Sequence, residues 1–137
     1  MNKDIFSSLS TFPFFVAYLI VSLFLTGIFV ALYIKVTPYK EIELIRQGNS
    51  AASVSLSGSL IGFVIALASV IAHSVNLIDL TIWGGLSLII QLLAYVVVRR
   101  VIKGITYGIQ DGTMSHGIFL GAVSLSFGIL NAACMVS

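Results

Sequence analysis

The chain has 137 residues, of which 58% are hydrophobic and 9% charged, and its formal net charge is +2. An average soluble domain carries about 25% charged residues, and a small domain leaves too much surface exposed to hide this much apolar area from water, so a soluble globular protein is excluded and lipid must surround much of the chain. The basic residues form no clustered face, which argues against nucleic acid as a partner, and the single cysteine excludes an internal disulfide.

Charged residues divide the chain into four apolar segments, each long enough for the ~20 residues that cross a hydrocarbon core. We predict transmembrane helices at 11–33, 53–72, 80–98 and 117–136. They form one all-α membrane domain over 1–137, a four-helix bundle of two tandem helical hairpins at about 11–72 and 80–136.

The first apolar run is longer than the ~7–15 residues of a signal-peptide core and ends in no small-residue cleavage site, so we interpret it as a retained helix. Tyr33 and Trp83 stand at the ends of the first and third predicted spans. Aromatic residues at such ends are typical of the interfacial belt.

The loop at 35–49 predicts a short helix on the membrane surface. Thr37 is a candidate cap and Pro38 suits the first helical turn. Ile42 and Ile45 share one face, which we expect to point toward the acyl chains.

Two glutamates lie in the same loop. We expect Glu41 and Glu43 to form surface ion pairs with Lys40 or Arg46. Such exposed pairs contribute little to stability.

The loop ends in a motif that suits a helix stop followed by a helix start. Gly48 favours a left-handed conformation that ends the short helix, and Asn49 or Ser50 is a candidate cap for the second span. The loop at 99–116 is expected to repeat the arrangement. Its corresponding residues are Ile102, Ile105 and Ile109 on one face, then Asp111, Gly112 and Thr113 as break and cap.

Orientation is predicted from lysine and arginine, which concentrate in these two loops. Six of the seven basic residues lie there: Lys35, Lys40, Arg46, Arg99, Arg100 and Lys103. Positive residues favour the cytoplasmic side. Both termini are therefore expected on the outer side.

The two halves of the chain look like a parallel repeat. A shift of 64 residues places Lys35 on Arg99 and Gly48 on Gly112, and a shift of 66 places Gly62 on Gly128. The alternative is that any two hairpins joined by a basic loop look similar.

The second and fourth spans carry small residues at intervals of four. Such residues let helix backbones approach closely in lipid, so we predict packing in preference to a ligand groove. The predicted helix-packing residues are Gly58, Gly62, Ala66, Gly117, Gly121, Ser124, Gly128 and Ala132. The first span instead carries phenylalanines, which suit lipid contact or bulky packing.

Several short stretches resemble a known family. They are Thr37-Pro38, Glu43-Leu44-Ile45, residues 49–53, Trp83-Gly84-Gly85, residues 90–93 and the ending 128–135. They are similar to the YjfL-type bacterial inner-membrane family, domain of unknown function three-fifty, over nearly the whole chain. The resemblance implies a bacterial inner-membrane location and two similar hairpins, and it brings no activity, catalytic residue or cofactor. Many relatives have a second Gly-Asn-x-Ala-Ala where this chain has Gly112-Thr113-Met114-Ser115-His116, so a role for a symmetric pair of motifs does not carry over.

Ionisable groups inside spans usually mark a proton or ion path, and no charged residue lies at the centre of any predicted span. Gln91 and Asn131 are the intramembrane polar residues. A buried amide in lipid more often joins helices than binds substrate, so we predict that both join helices.

No catalytic, metal-binding or cofactor-binding motif is found in the sequence. His73 and His116 are expected near opposite membrane faces, which argues against a shared metal site, and Cys134 is expected to be a packing residue without a histidine partner. We therefore expect no enzyme activity, no cofactor and no metal.

Two functional hypotheses remain. The first is a membrane scaffold or subunit that assembles with itself or with a membrane-protein partner. The second is an oligomeric channel or small-solute permease. The second predicts that Gln91, Asn131 and the serines at 55, 57, 59 and 69 converge on a wet cavity, whereas the first predicts tight helix contacts.

Overall fold

The computed structural model describes residues 2–135. Within them the chain is all-α, as predicted. Its seven helices are α1 (Asn2–Ser10), α2 (Phe12–Val36), α3 (Glu41–Arg46), α4 (Ser50–His73), α5 (Leu77–Val101), α6 (Ile105–Gln110) and α7 (Met114–Cys134). Four stretches are long and apolar enough to cross a membrane, namely Ile5–Val36, Ser50–His73, Leu77–Val101 and Met114–Cys134.

The observed spans extend past most of the predicted ends. The prediction stopped at the first charged residue, whereas Lys35 lies in the last turn of α2, and Arg99 and Arg100 lie in the last turn of α5. Basic side chains interact favourably with the partial negative charge at a helix C-terminus, so these residues belong to the helices. The end predicted at residue 136 lies outside the described residues.

The bundle is built around α4 and α7, which make the most extensive helix contact. Gly117 lies against Ala51, Gly58 against Gly121, and Gly128 against Gly62. Both sets of numbers rise together, so the two helices run in the same direction. The two halves of the chain are therefore packed into one unit.

The remaining long helices cover one side of this central pair. α5 contacts both α4 and α7, and α2 packs on α5 and α4. The buried side chains of α2 are Ser22, Leu25, Phe29 and Tyr33, at intervals of three or four residues. The N-terminal part of the first span, residues 5–15, is exposed along its whole length.

The loop helices differ in detail from the sequence prediction. α3 begins at Glu41, and Thr37 instead closes α2, where its backbone N–H donates to the Tyr33 carbonyl at 3.0 Å. The predicted cap at Thr37 is wrong because α2 runs one turn further than expected. In α6, Ile105 and Ile109 are buried in the protein core and do not face the acyl chains.

One aromatic residue of α2 is placed differently from expectation. Tyr33 is fully buried, so it does not belong to an interfacial belt, whereas Trp83 is exposed. Phe29 is fully buried and stacks on Phe63 with ring centroids 4.7 Å apart. The inward face of α2 thus presents aromatic rings to α4 and α5.

Candidate functional site

Most of the predicted packing residues lie along the contact between α4 and α7, which we call the seam. Its residues are Gly58, Gly62, Gly117, Gly121, Ser124, Gly128 and Ala132. Ala66 is buried on α4. A Cβ atom added to Gly62 would lie 2.6 Å from the Ser124 carbonyl oxygen, and one added to Gly121 would lie 2.8 Å from the Val54 carbonyl oxygen. Both distances are shorter than a carbon atom tolerates, so glycine allows the backbones to touch. Near the far end of the seam, the Ser69 hydroxyl donates to the Ala132 carbonyl at 2.9 Å.

Gln91 lies where three helices meet. Its amide nitrogen donates to the carbonyls of Ser59 on α4, at 3.2 Å, and of Ser124 on α7, at 2.7 Å. The side chain is fully buried. It therefore links α5 to both members of the seam.

Asn131 does not make the matching contact. It is buried on α7, and its amide nitrogen has no hydrogen-bond partner within residues 2–135. It borders a cavity of about 300 Å³ together with Ile90, Phe127, Leu130 and Cys134. The two intramembrane amides thus occupy different environments.

The loop motif joins the two halves at the ends of α4 and α6. Gly48 adopts a left-handed conformation with φ of 87°. The Asn49 side-chain oxygen accepts from the Ala52 backbone N–H at 3.1 Å and so caps α4. Its amide nitrogen donates to the Ile109 and Gln110 carbonyls at 2.8 and 3.2 Å, which satisfies acceptors at the C-terminus of α6. At the corresponding position of the second half, Thr113 makes no side-chain cap hydrogen bond.

Glu43 is exposed and lies 3.9 Å from the Lys40 ammonium. Glu41, two residues earlier, was expected to be a surface residue of the same kind. That expectation is wrong, because the Glu41 side chain is fully buried and neither of its carboxyl oxygens has a hydrogen-bond partner within residues 2–135.

Glu41 belongs to a group of buried polar side chains that we call the carboxyl cluster: Glu41, Tyr33, Tyr39 and Tyr95. The three tyrosines are close enough to Glu41 to interact electrostatically with it. The rings of Tyr33 and Tyr95 pack edge to face with centroids 5.6 Å apart. The three hydroxyls, like the carboxyl, have no hydrogen-bond partner within residues 2–135.

Burial determines the charge state of this carboxyl. Desolvation raises the pKa of Glu41 from 4.5 to about 8, and the nearby hydroxyls of Thr37 and Tyr39 lower it to a smaller extent. Desolvation likewise raises the pKa of Tyr39, which keeps its proton at neutral pH. The carboxyl cluster is therefore neutral at pH 7.

A series of polar side chains continues from the carboxyl cluster into the membrane. On α5, Tyr95, Gln91 and Ser87 follow one another at four-residue intervals and are all buried. One turn further, a Cβ on Gly84 would meet Leu25 and Leu67 side chains. The buried polar series on α5 therefore ends at Ser87, where apolar side chains close the interior.

At the opposite membrane face, several polar side chains border a pocket of about 200 Å³. His73, Asp79 and Cys134 all border it, together with Trp83. The His73 Nδ1 atom is 2.8 Å from the Ser69 carbonyl and the Asp79 carboxylate accepts from the Val75 backbone N–H at 3.1 Å, so both side chains hydrogen bond to backbone near the ends of their helices.

Two signals in the sequence point to Glu41. Glu41 and Ile45 are four residues apart and so share a helix face. The 64-residue shift that relates the halves places Glu41 on Ile105, and Ile105 is buried. A glutamate at the position of a core isoleucine is the mark of a buried carboxyl.

Comparisons with known proteins agree with the membrane architecture. The profile of a family described as Domain of Unknown Function (DUF350) matches residues 6–135. The chain is 40% identical over 121 residues to the UPF0719 inner membrane protein YjfL of Escherichia coli strain K12, covering 88% of this chain and 92% of that protein. The YjfL protein of Escherichia coli O157:H7 matches to the same extent. No solved structure matches.

Proposed function

The chain belongs to the DUF350 family, and from that premise we propose that it is a structural subunit of the bacterial inner membrane that assembles with a second copy of itself. The inner-membrane location follows the description of its relative YjfL. The structural role is supported by Gln91 and the seam, which hold α4, α5 and α7 together.

The observation that carries the proposal is the position of Gln91. Its amide nitrogen donates hydrogen bonds to the carbonyls of Ser59 on α4 and Ser124 on α7. This contact lies beside Gly62, where α4 packs closely against α7. A side chain engaged in this way holds helices together. The close packing of α4, α5 and α7 around Gln91 therefore supports a structural role for the protein.

The second copy is expected on the first span, which its own chain covers least. Only 17% of the most apolar stretch of Ile5–Val36 is buried, against 33–39% for the other three spans. Exposed phenylalanines cover this face: Phe12, Phe14, Phe15 and Phe24. No charged residue lies between residues 5 and 34. The same face of a second copy is an equally apolar surface, and we propose that the two faces pack in an isologous contact.

The channel hypothesis has less support. It requires the serines at 55, 57, 59 and 69 to converge with the two amides, whereas Ser57 is exposed and Ser55 and Ser59 are buried. Ser69 donates to the Ala132 carbonyl across the seam. These serines thus lie in different environments and do not converge on one cavity.

We also propose that both termini face the outer side and that α3 and α6 lie at the cytoplasmic face. The support is the concentration of basic residues around these two helices. The proposed assembly does not depend on this orientation.

The test of assembly is the size and contact geometry of the purified protein in mild detergent. We expect the mass of two copies. In a Cys134→Ser background, Phe24→Cys should form an oxidative crosslink between copies, whereas the matched variant Ile89→Cys should not. Both positions lie midway along their helices, with side chains 68% and 54% exposed.

A single-chain mass, or equal crosslinking at both positions, would overturn the self-assembly. A different membrane protein that co-purifies in fixed ratio, with no crosslink at residue 24, would replace the second copy with that partner.

A further inference from the structure

We propose that the carboxyl cluster is a proton-binding site, in which Glu41 carries the proton and exchanges it only with the membrane face where α3 and α6 lie. The inference goes beyond the proposed assembly and concerns a different part of the molecule. It rests on the position of Glu41 among its neighbours.

The first support is that the Glu41 carboxyl is removed from water without a compensating charge. Its side chain is fully buried. Within residues 2–135 the structure pairs Lys40 with Glu43 and gives Glu41 no basic partner. An isolated carboxylate is expensive to bury, and such a group binds a proton instead.

The second support is the set of groups that surround Glu41 on each neighbouring helix. Three tyrosines are close enough to interact electrostatically with Glu41: Tyr33 on α2, Tyr39 in the segment before α3, and Tyr95 on α5. Arg99 on α5 is close enough to interact electrostatically with Tyr95, and its side chain is exposed to solvent. On α4, the polar residues beside the tyrosines are serines: Ser55 lies beside Tyr39 and Ser59 beside Tyr33.

These neighbours suit a proton better than a metal or alkali cation. A phenol keeps its proton at neutral pH, so each tyrosine offers a hydroxyl and no negative charge. Glu41 is then the only group of the cluster that changes charge near neutral pH. Hard cations prefer several carboxylate and carbonyl oxygens, whereas the cluster supplies one carboxyl.

The third support concerns the route of the proton. Glu41 is the first residue of a six-residue helix, and Lys40 beside it is exposed to solvent. A small displacement of α3 therefore brings the carboxyl into contact with water. In the other direction, the polar series ends at Ser87, beyond which Leu25, Leu67 and Leu80 are buried. The site is blind-ended.

The structure also predicts how the site depends on pH. Because burial raises the pKa of Glu41 from 4.5 to about 8, the folded protein holds the proton over a pH range in which the unfolded chain has lost it. Stability is then greatest at low pH, falls as the pH rises from about 4.5 and levels off above about 8.

The primary experiment follows the carbonyl stretch of a protonated carboxyl by infrared spectroscopy of the purified protein in lipid nanodiscs. We expect the band at pH 7, its loss with a midpoint near 8, and its absence in Glu41→Gln. The control Glu43→Gln changes an exposed glutamate of the same helix and should keep the band and its midpoint. A wild-type protein without the band at pH 7, or a band that persists in Glu41→Gln, overturns the proposal.

A second variant keeps the test decisive where Glu41→Gln fails to fold. Tyr39→Phe removes a hydroxyl that lowers the pKa of Glu41, so the midpoint should move to higher pH. A midpoint that stays in place or moves down contradicts the cluster. Thermal unfolding should give the same assignment: the midpoint temperature falls between pH 5 and pH 8 in the wild type and in Glu43→Gln but stays nearly constant in Glu41→Gln.

Two further measurements separate the proton from other ligands and routes. Replacing choline by sodium at equal ionic strength should leave the infrared midpoint unchanged, and a sodium-dependent shift would overturn the assignment to a proton. Liposomes that contain the protein and an enclosed pH-sensitive dye should respond to an external pH step no faster than empty liposomes. Faster flux that Glu41→Gln abolishes would overturn the blind end.

Discussion

Gln91 and Asn131 show how two similar side chains in neighbouring helices come to have different roles. Gln91 donates to two backbone carbonyls on two helices, whereas the Asn131 amide nitrogen has no partner within residues 2–135. The sequence predicts the same role for both residues, because both are amides within apolar spans. The difference depends on which carbonyls lie within reach of each side chain, and it becomes visible only in the packed bundle.

We expect Gln91→Leu to destabilise the protein by of order 1 kcal/mol, as the loss of interhelical hydrogen bonds in membranes does. Asn131→Leu should change stability less, because no hydrogen bond of its amide nitrogen is lost. Thermal unfolding of both variants in the same detergent measures the difference. A larger loss for Asn131→Leu would show that Gln91 does not hold the three helices.

Glu41 shows where inference from the sequence ends at this scale. Helix periodicity places it on the side of Ile45, which is half-buried against the core, and the repeat places it at the position of buried Ile105. Its charge nevertheless predicted exposure, because ionised carboxylates are almost never buried unpaired. The two rules conflict, and protonation resolves the conflict: a neutral carboxyl can occupy a core position that a carboxylate cannot.

At the scale of helices, the number and type of the long elements follow from the sequence. Four apolar segments separated by charges predict four spans, and the structure has them. The same rule misplaced the ends, since Lys35 and Arg99 belong to helix C-termini. It also misplaced the start of α3, because Thr37 closes α2. Ends depend on capping contacts, which apolar content does not describe.

The seam predicts an unequal response to two substitutions of similar hydrophobic character. In Gly62→Leu, the new Cβ would lie 2.6 Å from the Ser124 carbonyl oxygen and 2.7 Å from the Gln91 amide nitrogen, so the helices must move apart. We expect a loss of about 1–3 kcal/mol, as overpacked cores show, together with a lower yield of folded protein.

Phe119→Leu is the matched control for this experiment, because the Phe119 side chain is exposed on α7 and lies outside the proposed contact between copies. Phe29 does not serve this purpose, since it is buried against Phe63. Equal yield and equal thermal stability of Gly62→Leu and Phe119→Leu would contradict the role of Gly62 in packing.

At the scale of the whole molecule, Asn49 and the seam join the two halves of the chain into one packed unit. Asn49 caps α4 and also holds the C-terminus of α6, while the seam joins α4 to α7. The repeat predicts the equivalence of the two halves but not their contact with each other. The corresponding position in the second half is Thr113, which forms no such cap. The two halves therefore differ in structure at this position.

The direction of this unit in the membrane determines which compartment the carboxyl cluster faces. Both ends of the chain are predicted on the outer side, because lysine and arginine near helix ends favour the cytoplasm and six of seven lie at the face with α3 and α6. A reporter active only in the cytoplasm, fused after Ser137, should therefore be silent, and the same reporter inserted after Gly48 should be active. The paired insertion controls for expression, since both fusions carry the same chain. An active reporter at Ser137 with a silent one at Gly48 would invert the topology, and the cluster would then exchange protons with the periplasm.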